Sequence, residues 1–421
     1  MRKIAWLGAV MACFAAWTVR GAVEIRSDYP GGNVKVEKID ESAGVVTLRP
    51  DLRDTTGKWF HFDFVLRGGA GRTLHFQFPK DGFDYLSSLG PAISRDGGVS
   101  WSWLRPDGTR HEPNNAFDYT FGPDENETRF AMSFPYSQKD WDAYAAKWRG
   151  VPGVKFDALC KSQSGRRDTE LLHLPCRRDG AKWLFVFTAR HHACETTGDP
   201  VMEGIVDEIL SGSPEGTWIR DNADCAFVPF MDKDGVEDGD QGKNRHPHDH
   251  NRDYLAGIYT SVRAVKELLV RESNGRQIVF MDLHSPHVRS HPRCPEQDCA
   301  FTFESPNPVH NARIGRFRRN WAETAKGGAL VYDGKNDIPA GKGYAVTLEK
   351  ARKAGLMTSR QWVECLPNCF FATCCEFGYS RCSGVFSFPA ARELGHNLLK
   401  ALARTALEAN GEQRLVQERG N

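Results

Sequence analysis

Three side chains of types that bind zinc follow two apolar runs of the sequence. His192 and Glu195 lie three positions apart after the apolar run 183–187, and His284 follows the run 278–281. Imidazole and carboxylate groups both suit zinc, and two histidines with one glutamate leave a fourth position open for water, as catalytic sites require. Alone, the spacing of His192 and Glu195 is more typical of a polar turn, so the prediction of one zinc ion per chain depends on His284.

The segment Asp249-His250-Asn251-Arg252 carries groups that suit a carboxylate ligand and a zinc-bound imidazole. The Arg252 guanidinium can fork onto two carboxylate oxygens, and the Asn251 amide adds a donor. Asp249 is predicted to accept the second ring N–H of a zinc-bound histidine, which orients that ligand. His250 and the two histidines that precede it offer a further metal site, although solvated loop histidines are the simpler interpretation.

Glu376 lies at the end of the apolar stretch that begins at Ala372. A carboxyl group in partly apolar surroundings has a raised pKa, and such a group can take a proton from metal-bound water. We therefore predict that Glu376 is the general base of a hydrolytic site. A single salt-bridged glutamate is the alternative interpretation of this segment.

The elements that position these groups fall into two parts of the chain. Residues 22–133 contain short strands that alternate aromatic and polar residues, such as 59–64 and 74–78, with glycine turns between them. This pattern predicts an antiparallel β-sandwich domain.

Residues 134–410 alternate apolar strands with helices, which predicts an α/β domain with a mixed sheet flanked by helices. Open α/β sheets place their sites beyond the carboxyl ends of the strands, where the predicted ligands fall. Residues 411–421 are predicted to form a polar tail. Apolar residues at helical spacing or in helix-length segments predict helices over residues 201–210, 253–271 and 391–409.

The composition is that of a globular protein with little net charge. The 421 residues are 40% hydrophobic and 26% charged, and the formal net charge is +1. These values argue against wholesale disorder and, because there is no basic excess, against a nucleic-acid-binding protein. A chain of this length is comfortable for two domains.

The first 21 residues have the pattern of a signal peptide. Arg2 and Lys3 precede an apolar run over residues 4–17, and small residues allow cleavage before Ala22. The sequence therefore predicts a secreted or periplasmic protein, with a buried N-terminal helix or a lipoprotein anchored at Cys13 as the alternatives. No later stretch is long and apolar enough to span a bilayer, so no stable membrane insertion is expected after signal removal.

Cysteine usage is consistent with export. The chain has 12 cysteines, one of them within the predicted signal peptide, so at least one of the remainder stays unpaired. Two pairs, Cys294 with Cys299 and Cys365 with Cys369, are close enough in sequence for local disulfides.

The order of the four motifs resembles that of the zinc carboxypeptidase family. The resemblance is strongest to the branch typified by cytosolic carboxypeptidases, which has bacterial members and carries a β-sandwich ahead of its catalytic domain. It extends over nearly the whole mature chain, although it is loose outside the motifs. It implies that the zinc ligands are His192, Glu195 and His284 and that the general base is Glu376. It also implies that Asn251 and Arg252 hold the terminal carboxylate of a peptide substrate. By the same resemblance, Asp249 supports the first histidine.

The resemblance also implies that Arg245, in Gly242-Lys243-Asn244-Arg245, polarises the scissile carbonyl, although the interval from Arg245 to Asn251 is shorter than in the family. The zinc motif reads His192-Ala193-Cys194-Glu195 where this branch usually has His-Pro-Gly-Glu. Neither Tyr344 nor Tyr379 has a motif that supports it as the family's substrate-capping tyrosine.

The implied function is that of a zinc metallocarboxypeptidase acting on the C-terminal bond of peptides. A zinc amidase or deacylase acting on peptidoglycan stem peptides or acylated amino acids is the first alternative. A binding module that keeps the fold and the metal without catalysis is the second alternative, and the presence of all three ligands and the base argues against it.

Overall fold

The structure is a computed structural model that describes residues 21–289, 299–342 and 346–419. Residues 1–20 of the predicted signal peptide, Cys294 and Tyr344 lie outside the described residues. Within the described residues, strands and helices form an N-terminal β unit and a larger α/β unit.

Nine short strands make up the N-terminal unit. They are β1 (Glu24–Arg26), β2 (Lys35–Asp40), β3 (Val45–Arg49), β4 (Asp63–Arg67), β5 (Thr73–Gln77), β6 (Ala92–Ser94), β7 (Ser102–Trp103), β8 (Ala116–Thr120) and β9 (Glu127–Ala131). They form two sheets, with the strand orders β1-β4-β9-β6-β7 and β2-β3-β5-β8. The predicted β-sandwich is confirmed, and its pairs are antiparallel except β3 with β5, which run parallel.

Aromatic side chains fill the space between the two sheets. Phe64 and Phe130 of one sheet pack against Phe76 and Phe117 of the other, with ring centroids between 5.2 and 6.0 Å apart across the two sheets. All four are buried. Close aromatic packing of this kind stabilises the unit beyond the burial of apolar area alone.

The α/β unit holds seven strands and nine helices in the described residues. The strands are β10 (Lys155–Lys161), β11 (Asp168–Leu174), β12 (Trp183–Ala189), β13 (Ala223–Val228), β14 (Gln277–His284), β15 (Ala300–Thr302) and β16 (Cys369–Phe377). The helices are α1 (Gln138–Ala145), α2 (Gly198–Leu210), α3 (Pro214–Asn222), α4 (Lys233–Asp238), α5 (Thr260–Ser273), α6 (Pro308–Thr324), α7 (Leu348–Ala354), α8 (Ser359–Val363) and α9 (Phe388–Arg419). The sheet order is β10-β11-β13-β12-β14-β16-β15, and the three parallel pairs join β13, β12, β14 and β16. The predicted mixed sheet flanked by helices is confirmed.

The central strands are buried on both faces, which explains their continuous apolar runs. In β12, Phe185 and Phe187 belong to the core that also contains residues of α2 and α9, whereas Leu184 and Val186 belong to the core shared with α5. Helices therefore cover both faces of the sheet, and the carboxyl ends of β12, β14 and β16 open at one edge.

Two predicted helix boundaries are wrong. The helix predicted over 253–271 begins only at Thr260, because the Asp253 carboxylate accepts the backbone N–H groups of Ile258 and Tyr259 and holds the preceding segment in a turn. The C-terminal helix runs from Phe388 to Arg419, beyond the predicted end at residue 409.

The loop after α4 is bound to the sandwich unit. The side chain of Gln241 accepts the N–H of His61 at 2.8 Å and donates to its carbonyl oxygen at 2.9 Å. At His61 the backbone N–H and C=O groups are bound by this amide side chain and not by a neighbouring strand. The strand predicted over 59–64 therefore begins only at Asp63. Further along the loop, Arg245 forms an antiparallel bridge with Thr55.

Cys365 and Cys369 are free thiols, so the local disulfide proposed for them is wrong. Cys369 begins β16 and is buried, whereas Cys365 is exposed and directs its Sγ to the Gln361 carbonyl oxygen at 3.4 Å. None of the helices among the described residues has the length and apolar character needed to cross a membrane.

Candidate metal centre and active site

Three adjacent parallel strands bring the predicted site residues to one edge of the sheet. His192 and Glu195 lie on the loop that follows β12, and His284 is the last residue of β14. Glu376 on β16 is the direct register partner of His284. Segments that are far apart in sequence meet here because parallel strands end at the same edge.

The two histidines point the same ring nitrogen at one carboxylate. His192 Nδ1 lies 3.0 Å from Glu195 Oε1, and His284 Nδ1 lies 2.6 Å from Glu195 Oε2. All three side chains are buried, and one ligand atom from each lies within 4.8 Å of the others. Two imidazoles and one carboxylate that converge in this way fit a zinc ion with one coordination position left for water or substrate.

The outer nitrogen of each histidine is bound by a carboxylate. His192 Nε2 lies 3.2 Å from Asp249 Oδ1, which is the contact predicted from the sequence, and His284 Nε2 lies 2.8 Å from Asp282 Oδ2. With the proton held on Nε2, the Nδ1 lone pair of each ring is free for the metal. Sequence reasoning missed Asp282, although its place two residues before His284 on a strand puts both side chains on one face of the sheet.

Electrostatic interactions keep both supporting carboxylates ionised. Burial alone raises the pKa of Asp249 and Asp282. The histidine charges and hydrogen bonds outweigh this effect and hold both pKa values well below their usual range. Each histidine therefore has an ionised acceptor beside its outer N–H.

The loop that carries His192 and Glu195 begins with a residue in the left-handed region. Arg190 has φ +58°, an uncommon conformation for a residue other than glycine. Its guanidinium donates to Asp199 Oδ2 at 2.7 Å and to the Ala193 carbonyl oxygen at 3.0 Å. Arg190 and Asp199 are both buried, and the bond to Ala193 ties their ion pair to the loop between the two ligands.

Glu376 faces the cleft beside the metal ligands. Its Oε2 has no hydrogen-bond partner among the described residues, and its Oε1 lies 3.8 Å from Cys374 Sγ. Burial, and after it the negative charge of Glu195, raises the pKa of Glu376. A carboxylate with one uncommitted oxygen and a raised pKa can accept a proton in the cleft.

Asn251 and Arg252 also line the cleft. Asn251 is buried, with its Nδ2 2.9 Å from His284 Nε2 and its Oδ1 accepting the Ser359 N–H at 3.0 Å. Arg252 is partly exposed and donates to the Asn251 carbonyl oxygen at 2.7 Å. The pair therefore lies at a suitable place for the predicted carboxylate contact.

Arg245 is not positioned for the role that the family resemblance implies. Its Nη2 donates to Asp54 at 2.6 Å and to Asp240 at 3.0 Å, and its Nη1 forms a close ion pair with Asp232. Arg245 is absent from the residues that line the cleft. Three carboxylates, one of them from the sandwich unit, hold its guanidinium away from the cleft, so the structure does not bring Arg245 together with the other predicted site residues.

Lys243, two residues earlier, lines the cleft in place of Arg245. Its Nζ forms a close ion pair with Glu195 Oε1 and lies 5.6 Å from the centre of the Trp59 ring. Burial lowers the pKa of Lys243, but the charge of Glu195 outweighs this effect and raises it. No pattern in the sequence indicated that Lys243 lines the cleft. Lys243 and Arg245 are both cations of the same loop, and only the path of that loop decides which side chain faces the cleft.

The cleft, together with the solvent at its mouth, spans about 1060 Å³. Its aromatic and aliphatic lining includes Trp59 of the sandwich unit with Phe301, Phe303 and Ile338. Arg360 also lines it, with Nη1 3.3 Å from Glu364 Oε1.

Two other residues weighed from the sequence are buried in the structure. Tyr379 packs in the sandwich core near Cys194 and is not among the residues that line the cleft. His250 is stacked on Tyr259 at 3.6 Å, so its interpretation as a solvated loop histidine is wrong.

Comparison with known proteins agrees with this geometry. Residues 154–284 match the sequence model of the zinc carboxypeptidase family. The chain is 23% identical over 326 residues to cytosolic carboxypeptidase 6 of Caenorhabditis elegans, covering 72% of this chain and 69% of that protein. It is 25% identical over 294 residues to cytosolic carboxypeptidase 2 of Xenopus tropicalis, covering 62% of this chain but only 30% of that protein.

Solved structures share the fold along almost the whole chain. A metallo-carboxypeptidase from Pseudomonas aeruginosa, solved in complex with (2-guanidinoethylmercapto)succinic acid, superposes with a TM-score of 0.73 and 23% identity. That superposition covers 91% of this chain and 99% of the other. A metallo-carboxypeptidase from Burkholderia cenocepacia gives a TM-score of 0.71 at 19% identity, again covering 91% of this chain and 99% of the other. These solved structures show that the chain has the metallo-carboxypeptidase fold, and residues 154–284 are similar to the zinc carboxypeptidase family in the region that carries the His, Glu, His group.

Proposed function

We propose that this protein is a zinc-dependent metallocarboxypeptidase that hydrolyses the C-terminal peptide bond of peptides. The observation that carries the proposal is the meeting of three groups in one cleft. These groups are the metal ligands, a buried carboxylate with an uncommitted oxygen at Glu376, and a guanidinium and an amide at Arg252 and Asn251.

Each of these groups has a chemical task in the proposed reaction. Zinc, when bound to His192, Glu195 and His284, polarises the scissile carbonyl and makes a water molecule acidic. Glu376 takes a proton from the attacking water and passes it to the leaving amine.

The substrate contacts follow from the other side chains of the cleft. Arg252 and Asn251 hold the terminal carboxylate of the peptide, which places the last peptide bond at the metal. Lys243, rather than Arg245, supplies the positive charge beside the oxygen that becomes negative in the transition state.

The test is mass spectrometry of a peptide library incubated with the zinc-loaded protein, in which each sequence is present with a free and an amidated C-terminus. We expect stepwise loss of C-terminal residues from the free peptides only. The control is Glu376→Gln, which should bind zinc normally and cleave nothing. More than a few per cent of wild-type activity in that variant would remove Glu376 as the base.

The same library, supplemented with peptidoglycan stem peptides and acylated amino acids, separates the alternatives. Cleavage at amidated ends, acyl bonds or internal bonds contradicts the carboxypeptidase proposal and favours an amidase or deacylase. If the zinc-loaded protein cleaves no substrate in this library, the result contradicts both the carboxypeptidase and the amidase or deacylase proposals. The binding module then remains as the interpretation.

We also propose that the protein is exported, on the basis of the charged and apolar pattern at its N-terminus. Expression in a bacterial host with fractionation should place the mature chain in the periplasm or the medium. Mass spectrometry of its N-terminus should find Ala22. A cytoplasmic chain that retains Met1 contradicts this proposal.

A further inference from the structure

A buried chain of hydrogen bonds runs from His284 away from the cleft. Asp282 Oδ2 accepts from His284 Nε2 at 2.8 Å, and Asp282 Oδ1 accepts from His191 Nδ1 at 2.8 Å. His191 Nε2 in turn accepts the hydroxyl hydrogen of Tyr254 at 2.8 Å. Each of the four residues exposes at most 2% of its surface. Water therefore has almost no access to compete for these bonds.

The carboxylate of Asp282 receives more hydrogen bonds than a carboxylate that only neutralises a neighbouring positive charge would need. Besides the two histidines, Thr188 Oγ donates to its Oδ1 at 2.8 Å and Ser359 Oγ donates to its Oδ2 at 2.5 Å. Two donors on each oxygen fix the plane of the carboxylate. A fixed carboxylate fixes the ring of His284, because the bond to Nε2 sets both the orientation of the imidazole and the position of its proton.

His191 adds a constraint that the other donors do not provide. Its ring is nearly parallel to that of His284, with the planes 14° apart and the centroids separated by 5.7 Å. Tyr254 holds the far side of the His191 ring, so the Nδ1–H of His191 can point only at Asp282.

The same three residues, His191, Asp282 and His284, are also near enough to one another to hold a metal ion. The hydrogen bonds argue against that role. Both oxygens of Asp282 already receive two donors, and both nitrogens of His191 are already paired. An ion at this place would break bonds in a fully buried region, which costs free energy that few ligands can restore.

We propose that Asp282 and His191 are positioning residues of the zinc centre. Asp282 directs the Nδ1 lone pair of His284 to the metal, and His191 holds Asp282 in the orientation that does so. This inference rests on the proposed function only in requiring that zinc binds at His192, Glu195 and His284. It does not require that the protein cleaves peptides.

The test compares zinc affinity in three variants of the full-length mature protein. Asp282→Asn keeps the shape but removes one acceptor oxygen. His191→Leu removes the donor, whereas His191→Asn restores an amide N–H near the position of Nδ1–H. Zinc dissociation constants are measured by competition with a chromophoric chelator, and the visible spectrum of the cobalt-loaded protein reports the ligand geometry. Thermal unfolding of the metal-free proteins separates loss of affinity from loss of fold.

We expect Asp282→Asn and His191→Leu to weaken zinc binding about 10- to 100-fold and to alter the cobalt spectrum, while His191→Asn stays within about threefold of wild type. Wild-type affinity and spectrum in Asp282→Asn would overturn the proposal. So would equal loss in the two His191 variants, since that outcome indicates core packing alone. Two zinc ions per chain, with one lost in His191→Leu, would replace positioning with a second metal site.

These outcomes are independent of peptide cleavage. A wild-type protein that binds zinc and cleaves no peptide contradicts the proposed function and leaves the positioning role standing. An active wild-type protein whose Asp282→Asn variant binds zinc normally contradicts only the positioning role.

Discussion

Replacing Arg245 tests whether its guanidinium is part of the catalytic machinery or of the fold. The side chain is 10% exposed and pairs with Asp232, which is 3% exposed, with Asp240, which is 11% exposed, and with Asp54, which is 33% exposed. Arg245→Met leaves Asp232 buried without its cation, whereas Asp240 keeps its ion pair with Arg53. Removing one partner of a buried ion pair costs about 3–5 kcal/mol, a large fraction of the roughly 5–15 kcal/mol that stabilises a typical domain.

The loss should depend on pH in a defined direction. Burial already raises the pKa of Asp232 and Asp240, and Arg245 opposes that rise. Without Arg245 both pKa values rise further, so the folded variant holds protons that the unfolded chain releases. The free energy of unfolding of Arg245→Met therefore falls as the pH rises above the carboxylate pKa of the unfolded chain. The deficit relative to wild type is predicted to be larger at about pH 7.5 than at about pH 5.

The assay is urea-induced unfolding, followed by tryptophan fluorescence and circular dichroism at both pH values. Arg26→Met is the matched control, because Arg26 forms a solvent-exposed ion pair with Asp28 and its loss should not change stability measurably. Arg245→Lys keeps a positive charge and should lose less stability than Arg245→Met while retaining turnover. Wild-type stability in Arg245→Met, or a stable Arg245→Lys that has lost turnover, would refute the structural role.

Three further predictions concern the loop and the cleft. Arg252→Ala should weaken cleavage of peptides with a free C-terminus far more than any residual cleavage of amidated peptides, and equal loss on both would remove the carboxylate anchor. Lys243→Met should lower kcat by about 10²- to 10³-fold while zinc stays bound, because it removes the cation beside Glu195; a change of only a few-fold in kcat would contradict the oxyanion role. Gly242→Ala should weaken zinc binding and lower the thermal unfolding temperature, because Gly242 has φ +73° and an added Cβ would lie 2.2 Å from the Ala193 nitrogen in the ligand loop. Zinc binding and thermal unfolding like those of the wild type would show that the loop can move without cost.

Local sequence patterns were enough to predict the fold class and the grouping of the site residues. Alternating residues predicted the sandwich, and the continuous apolar runs before His192 and His284 predicted buried parallel strands. Because parallel strands end at one edge of a sheet, residues that follow such runs are expected to meet. The contact of Asp249 with the first histidine was implied by the resemblance to the zinc carboxypeptidase family.

The sequence left the position of each cation undetermined. Lys243 and Arg245 lie two residues apart in a loop without regular structure, so no periodicity shows which of them faces the cleft. The choice is made by Asp54 and Thr55 of the sandwich unit, which bind Arg245 and leave Lys243 to Glu195. These partners are almost 200 residues away in sequence.

The sequence also did not indicate which residues position His284, for a related reason. Asp282 and His191 are ordinary polar residues at strand ends in the sequence, and only the pairing of β12 with β14 brings them together. By itself, the sequence determined the types of chemical group, the elements that carry them and the edge of the sheet where they gather. Tertiary structure alone decided which charges face one another, because the energy of a buried polar group depends on partners that local pattern does not encode.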